Sequence, residues 1–313
     1  MKNVKFITIE SDFGAGKKGA KLGPQALLNQ LKKRIPDWDA LNQPERVLSE
    51  DLESDNEHPF LKNIYSILEV QKRAVLSIQK ELENNAGFPV ILSGDHSNGS
   101  AAISAIKNAF PEKRLGVIWI DAHADLHNPF STPSGNMHGM PLAIALGLKH
   151  EVEDANEVSK SELELWQELL ELGSEKISPK ILAQDLVLID IRDLEEDEID
   201  TIRERGILSF SPAECDAMGI QEVINKSLEQ LSDCDHILVS FDVDSLDPEI
   251  SIGTGTPVPN GLTLQEASEL LNGLLKSPKT VALEITEVNP LLDRTNPMEE
   301  IAADLFITLI DKN

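Results

Sequence analysis

The sequence predicts an α/β protein with an open, mostly parallel sheet covered by helices on both faces. Two observations carry that expectation. Short apolar runs rich in β-branched residues alternate with longer amphipathic stretches along the chain. Several of the short runs are apolar on both faces, as strands of a parallel sheet under helices should be. The chain has 313 residues, 41% of them hydrophobic, which is enough for a full core. No composition break, Pro-rich linker, low-complexity tract or internal repeat divides it. One domain over residues 1–313 is therefore expected.

Taken in order, the first expected strand is Val4–Ile9. A helix opens at Gly23-Pro24, where proline suits the first turn. Leu61–Asn84 follows as a helix, Pro89–Leu92 as a strand, Gly99–Ala109 as a helix and Gly116–Ile120 as a strand. In Glu162–Glu171, Leu163, Trp166 and Leu170 recur at helical spacing and read as core packing. Then come strand Leu186–Ile191, helices Glu195–Arg205 and Ile220–Leu231, and strand Ile237–Phe241. Helix Leu264–Leu275, strand Val281–Ile285 and helix Met298–Leu309 complete the alternation.

The formal net charge of -26 argues against nucleic acid or an anionic membrane as partner, because both reward a basic face. Its plain reading is solubility; its sharper one is steering of a cationic substrate or a metal ion. No apolar stretch reaches the ~20 residues of a membrane helix. The apolar run at the N-terminus is too short and too soon charged for a signal peptide. Cys215 and Cys234 lack CxxC spacing and read as ordinary thiols of a reducing compartment. A cytoplasmic protein is expected.

In sheets of this kind, ligands bind just beyond the carboxyl ends of the strands. Three polar clusters lie there: Ser93-Gly94-Asp95-His96, Asp121-Ala122-His123-Ala124-Asp125 and Asp242-Val243-Asp244. A fourth, Glu284-Ile285-Thr286-Glu287, overlaps the end of its run. Asp121, His123 and Asp125 stand at i, i+2 and i+4, which points all three side chains one way in extended chain. Asp242 and Asp244 repeat the spacing. Four converging carboxylates repel, and desolvating them costs several kcal/mol each unless cations pair with them. Neither cluster contains lysine or arginine. Two divalent cations resolve this, and mixed carboxylate and imidazole donors suit Mn²⁺ or a similar first-row ion. Asp95 and Asp247 read instead as caps of turns. Metals ~4 Å apart would acidify a bridging water to hydroxide near neutral pH, the chemistry of metal-assisted hydrolysis.

These residues resemble the ureohydrolase superfamily, which includes arginases, agmatinases and formimidoylglutamases. The matching stretches are Gly94-Asp95-His96-Ser97, Asp121 to Asp125, Ser240 to Pro248 and Glu287-Val288-Asn289-Pro290, with Gly19 to Pro24 resembling the family's first loop. The resemblance implies a three-layer α/β/α fold, two Mn²⁺ per subunit and hydrolysis of a guanidino or related amidine C–N bond. It assigns His96, Asp121, Asp125 and Asp242 to one metal, and Asp121, His123, Asp242 and Asp244 to the other. It implies that Glu287 pairs with the guanidinium, that His138 shuttles a proton to the leaving amine, and that Thr256 lines the site. It also implies a homo-oligomer, a trimer or hexamer.

Arginase is the nearest subfamily in local wording, through Ser134-Gly135-Asn136-Met137-His138-Gly139 and through Val258 after Gly255-Thr256-Pro257. Ser134 would contact the substrate carboxylate. The implied reaction is arginine to ornithine and urea through a metal-bridging hydroxide. Two departures lie at the amino-acid end. The family's usual asparagine is replaced by His127, with Asn128 one residue later, and its Arg-Asp-x-Asp reads Arg192-Asp193-Leu194-Glu195. His127 is either a surface histidine or a substrate contact, and Glu195 either a first-turn helix charge or the contact for the α-ammonium. These changes leave a formimidoylglutamase- or agmatinase-type substrate as the alternative, with a non-catalytic member of the fold behind it. Gly14-Ala15-Gly16-Lys17-Lys18-Gly19 fits the dinucleotide pattern G-x-G-x-x-G. The helix start at Gly23-Pro24 falls after those glycines rather than within them, so a flexible loop is the better reading.

Overall fold

The computed structural model describes residues 4–35, 38, 44–55, 57–84, 87–149 and 156–311. Eight strands form one sheet: β1 Val4–Glu10, β2 Glu45–Leu48, β3 Phe88–Ser93, β4 Leu115–Ile120, β5 Leu186–Ile189, β6 Leu208–Phe210, β7 His236–Asp242 and β8 Thr280–Thr286. Their order across the sheet is β2-β1-β3-β8-β7-β4-β5-β6, and every pairing is parallel.

The ten helices labelled here are α1 Gly23–Arg34, α2 Ile64–Glu83, α3 Gly99–Ala109, α4 Pro141–Leu146, α5 Lys160–Leu170, α6 Glu196–Arg205, α7 Pro212–Met218, α8 Ile220–Gln230, α9 Leu264–Leu275 and α10 Met298–Asp311. Among the described residues, no helix is long and apolar enough to cross a membrane.

Strand alternation explains the three layers. Val117, Trp119, Leu186, Leu188 and Leu238 point to one face and pack with α2, α3, α4 and α5. Ile118, Ile120, Val187, Ile189, Val239 and Phe241 point to the other and pack with α1, α8, α9 and α10. Each face carries its own apolar core, so the strands read as continuous apolar runs.

The structure adds two strands that the sequence pattern does not mark, β2 and β6, the two sheet edges. They have four and three residues, too few to display a period. The strand expected over Leu186–Ile191 stops at Ile189, because Asp190 takes a left-handed backbone, φ 72°. The helix expected from Leu61 starts at Ile64.

The chain runs from β3 to β4, yet β8 and β7 lie between them in the sheet. The four strands that end in polar clusters are therefore the four adjacent central ones. Register aligns Ile120 with Phe241, and Asp242 with Thr286. Asp121, Asp242 and Glu287 consequently emerge side by side at the carboxyl edge, where such sheets open a crevice.

Candidate metal centre

His96 sits at the bottom of this crevice and is fully buried. Its ring stacks on Trp119 of β4, with centroids 3.8 Å apart and planes at 6°. Nε2 lies 2.8 Å from Ser240 Oγ. The Ser240 hydroxyl donates to Glu284 Oε2 at 2.9 Å, and the Ser93 hydroxyl donates to Glu284 Oε1 at 2.6 Å. With Nε2 donating into this chain, Nδ1 presents its lone pair. It faces Asp121 Oδ2 at 2.9 Å, Asp125 Oδ2 at 3.2 Å and Asp242 Oδ2 at 3.2 Å.

His96 Nδ1 and Asp121 Oδ2 are buried and have no hydrogen-bond partner. An imidazole lone pair and carboxylate oxygens, buried together and unpaired, fit a cation between them. Two donor groups result: His96, Asp121 and Asp242, and then Asp121, His123 and Asp244, with all donor atoms of each group within 4.8 Å of one another. Asp121 belongs to both. Asp242 belongs to the first group only, and its Oδ1 accepts from the Asp244 amide at 2.8 Å.

His123 Nδ1 lies 3.2 Å from Asp244 Oδ2 and 3.3 Å from Asp121 Oδ1. Thr256 Oγ1 donates to Asp244 Oδ2 at 3.0 Å, which fixes that carboxylate from the far side. Asp125 and Glu287 both hold left-handed backbones, φ 53° and φ 64°. Such strain in non-glycine residues collects where the surrounding structure must aim a side chain.

The electrostatics show the cost of this crowding. Burial, then the neighbouring Asp121 charge, pushes the Asp125 carboxyl up to about 7. Burial and then the charges of Asp244 and Asp121 raise Asp242 well above the usual carboxylate range. Burial opposes a charged His96, but Asp121, Asp125 and Asp242 outweigh it and raise the ring well above its ordinary value. Protons gather where positive charge is lacking, and divalent cations would replace them.

A cavity of about 290 Å³ opens above these groups. Its floor is His96, Asp121, His123, Asp125, Asp242 and Asp244; its outer wall includes His127, Ser134, Asn136, Glu195, Glu198 and Thr256. His138 stands between, and its backbone N–H donates to Gly14 O at 3.2 Å. Its Nδ1 is 3.5 Å from Glu287 Oε1. Burial works against a charged His138, but Glu287, then Asp125 and Asp95, raise it.

The expected residues do not all reach the cavity. Glu287 is withdrawn from the wall, and its Oε1 accepts from the His96 amide at 2.9 Å. Asn128 does not line the cavity; its Oδ1 accepts from the Phe130 amide in a local turn. Glu195 lies on the wall but is bonded to His127 Nε2 rather than standing alone.

Asp95 and Asp247 sit in turns. Asp95 Oδ1 accepts from the Ser97 amide, and Asp247 Oδ1 from the Glu249 amide. Gly14 packs beneath the site, where an added Cβ would meet Asp95 Oδ1 at 2.6 Å, and α1 opens only at Gly23, past the glycines.

Sequence reasoning gave no role to Glu198, Ser240 or Arg192. Arg192 pairs with Asp190 and donates to Asp244 O at 2.8 Å and Val258 O at 3.0 Å. It thereby ties the Asp244 loop to the Thr256 segment. Glu198 was legible as the third residue after the helix start at Glu195, the spacing at which a glutamate reaches back to the N-cap amide.

An all-parallel three-layer fold with paired His/Asp groups at its central carboxyl edge defines a hydrolase of the ureohydrolase type. The model of the Arginase family matches residues 2–311. The chain belongs to that family. It is 37% identical to an arginase of Staphylococcus aureus over 98% of this chain and 96% of that protein. It superposes on the solved arginase of Bacillus subtilis with a TM-score of 0.84 at 32% identity, over 99% of each chain. It also superposes on the arginase of Entamoeba histolytica, solved in complex with L-ornithine, with a TM-score of 0.82 at 26% identity over 98% of each chain.

Proposed function

We propose that this chain hydrolyses arginine to ornithine and urea at a centre of two divalent cations, with Mn²⁺ as the ion. The observation that carries the reading is the pair of His/Asp groups sharing Asp121 on the floor of an acidic cavity. The relatives named as arginases support the substrate, as does the ornithine bound by the Entamoeba histolytica protein.

In this proposal Asp121, His123, Asp125, Asp242, Asp244 and His96 hold the cations. When bound, two cations supply Lewis-acid activation of water at neutral pH and neutralise the carboxylates. His138 holds a proton for the departing amine, with Glu287 Oε1 behind it stabilising the charged ring. A guanidinium contact by Glu287 would require its side chain to move to the cavity wall. The acidic floor favours a planar cation over a neutral amide. Thr256 keeps Asp244 aimed, while Ser134, His127 and Glu195 meet the amino-acid end of the substrate. Asn128 shapes the loop that carries His127.

The domain extent of residues 1–313, a cytoplasmic site of action and a trimeric or hexameric assembly are part of the same proposal. Buried free thiols at Cys215 and Cys234 support a reducing compartment.

His127 and Glu195 favour one second reading, a formimidoylglutamase- or agmatinase-type substrate on the same centre. The test is a panel of arginine, agmatine, formimidoylglutamate and guanidinobutyrate with the Mn²⁺-loaded protein and product identification. Urea from arginine as the preferred reaction is the expected result. Formamide from formimidoylglutamate, or urea from agmatine in preference to arginine, selects the second reading. Release of no urea, ammonia or formamide from any of them rejects both.

A further inference from the structure

His127, Glu195 and Glu198 form a second concentration of metal donors at the outer end of the cavity, sharing no residue with the floor groups. One ring nitrogen and one oxygen from each carboxylate lie within 4.8 Å of one another. Nδ1 of His127 is 3.2 Å from Ser131 Oγ, and with Nδ1–H donating to that oxygen Nε2 can serve as a metal donor toward the two carboxylates. Nε2 contacts Glu195 Oε2 and is 3.7 Å from Glu198 Oε2. Glu198 is held from behind, its Oε1 accepting from the Leu126 amide at 3.1 Å and its Oε2 from the Glu195 amide at 3.2 Å. Its side chain is buried, whereas that of Glu195 is 56% exposed, so the cluster opens toward solvent on one side only.

The charge of this wall sharpens the point. Asp193, Glu195 and Glu198 all line the outer end, and among the described residues none that lines the cavity is lysine or arginine. The carboxylate of an amino-acid substrate entering there meets like charge. His127 can cancel one of these three charges at most; a divalent ion cancels two and offers the carboxylate a coordination position.

We propose that His127, Glu195 and Glu198 bind a third divalent cation, of the first-row class that mixed imidazole and carboxylate donors select, and that this ion receives the substrate's carboxylate. The substrate half rests on the arginine-hydrolase reading above; the metal half does not.

The test counts ions. The full chain is stripped with a chelator, saturated with Mn²⁺, desalted, and its manganese is measured per chain. The same is done for His127→Asn and Glu198→Gln, whose two floor ions report that each variant is folded. Three ions in the native chain and two in each variant are expected. In both variants the KM for arginine should rise about tenfold, equivalent to ~1.4 kcal/mol. The KM for agmatine, which lacks the carboxylate, should move much less.

Two ions in the native chain, or three retained in both variants, overturns the site. A third ion lost without change in the KM for arginine overturns its substrate role. If the protein turns over no substrate, the ion count still decides the site, and the failure belongs to the functional reading.

Discussion

Ser240→Ala tests whether the buried chain behind His96 controls the metal centre. The side chain is fully buried and joins His96 Nε2, 2.8 Å away, to Glu284 Oε2, 2.9 Å away. Alanine removes both bonds and leaves a buried N–H and a buried carboxylate oxygen unsatisfied. Glu284 keeps only its bond from Ser93. Each orphaned group costs about 1–3 kcal/mol, so about 2–6 kcal/mol of stability is at risk. Losing the partner of the non-ligating ring nitrogen also frees the tautomer and orientation of His96, which typically costs 10–100-fold in metal affinity. The assay is a manganese titration of the stripped variant beside a thermal melt of the apo form. The expected result is weaker Mn²⁺ binding by about that factor and a melting temperature several degrees lower. Native-like metal affinity together with a native-like melt would refute the idea that Ser240 transmits order from Glu284 to His96.

Three further perturbations separate the parts of the site and the scaffold. Asp242→Ala removes a donor of the first group and the acceptor for the Asp244 amide, so Mn²⁺-dependent turnover should vanish; measurable turnover in this variant contradicts the assignment. His138→Ala should lower turnover by about 100-fold or more while leaving manganese content intact, as loss of a proton donor does; lost manganese instead makes His138 a structural support. Lys180 is buried, and desolvation brings its ammonium down to about 7 with the Glu171 charge opposing. The unfolded chain then binds one more proton than the folded chain between pH about 7 and pH about 10, so this residue makes stability rise with pH across that window. Lys180→Met should flatten that rise in denaturant melts, and an unchanged slope rejects the account.

Much of the floor was legible because its donors are contiguous. Asp121, His123 and Asp125 follow β4 within five residues, and Asp242 and Asp244 close β7, so local spacing alone placed both sets at strand ends. The outer wall was not legible in the same way. His127 lies on the wall and Asn128 beside it does not, a difference made by an irregular loop that has no period to read. Edge strands β2 and β6 carry too few residues to show alternation.

The sequence by itself determined the layer architecture, the six floor residues and the charge excess that demands cations, because each rests on local chemistry or on a short period. The tertiary structure decided that β8 and β7 enter between β3 and β4. That order brings Ser240 and Glu284 behind His96, residues 144 and 188 positions away along the chain. It also decided that His127 meets Glu195 across 68 positions. Contacts of that range depend on strand order and helix packing, which are properties of the assembled core and of no single segment.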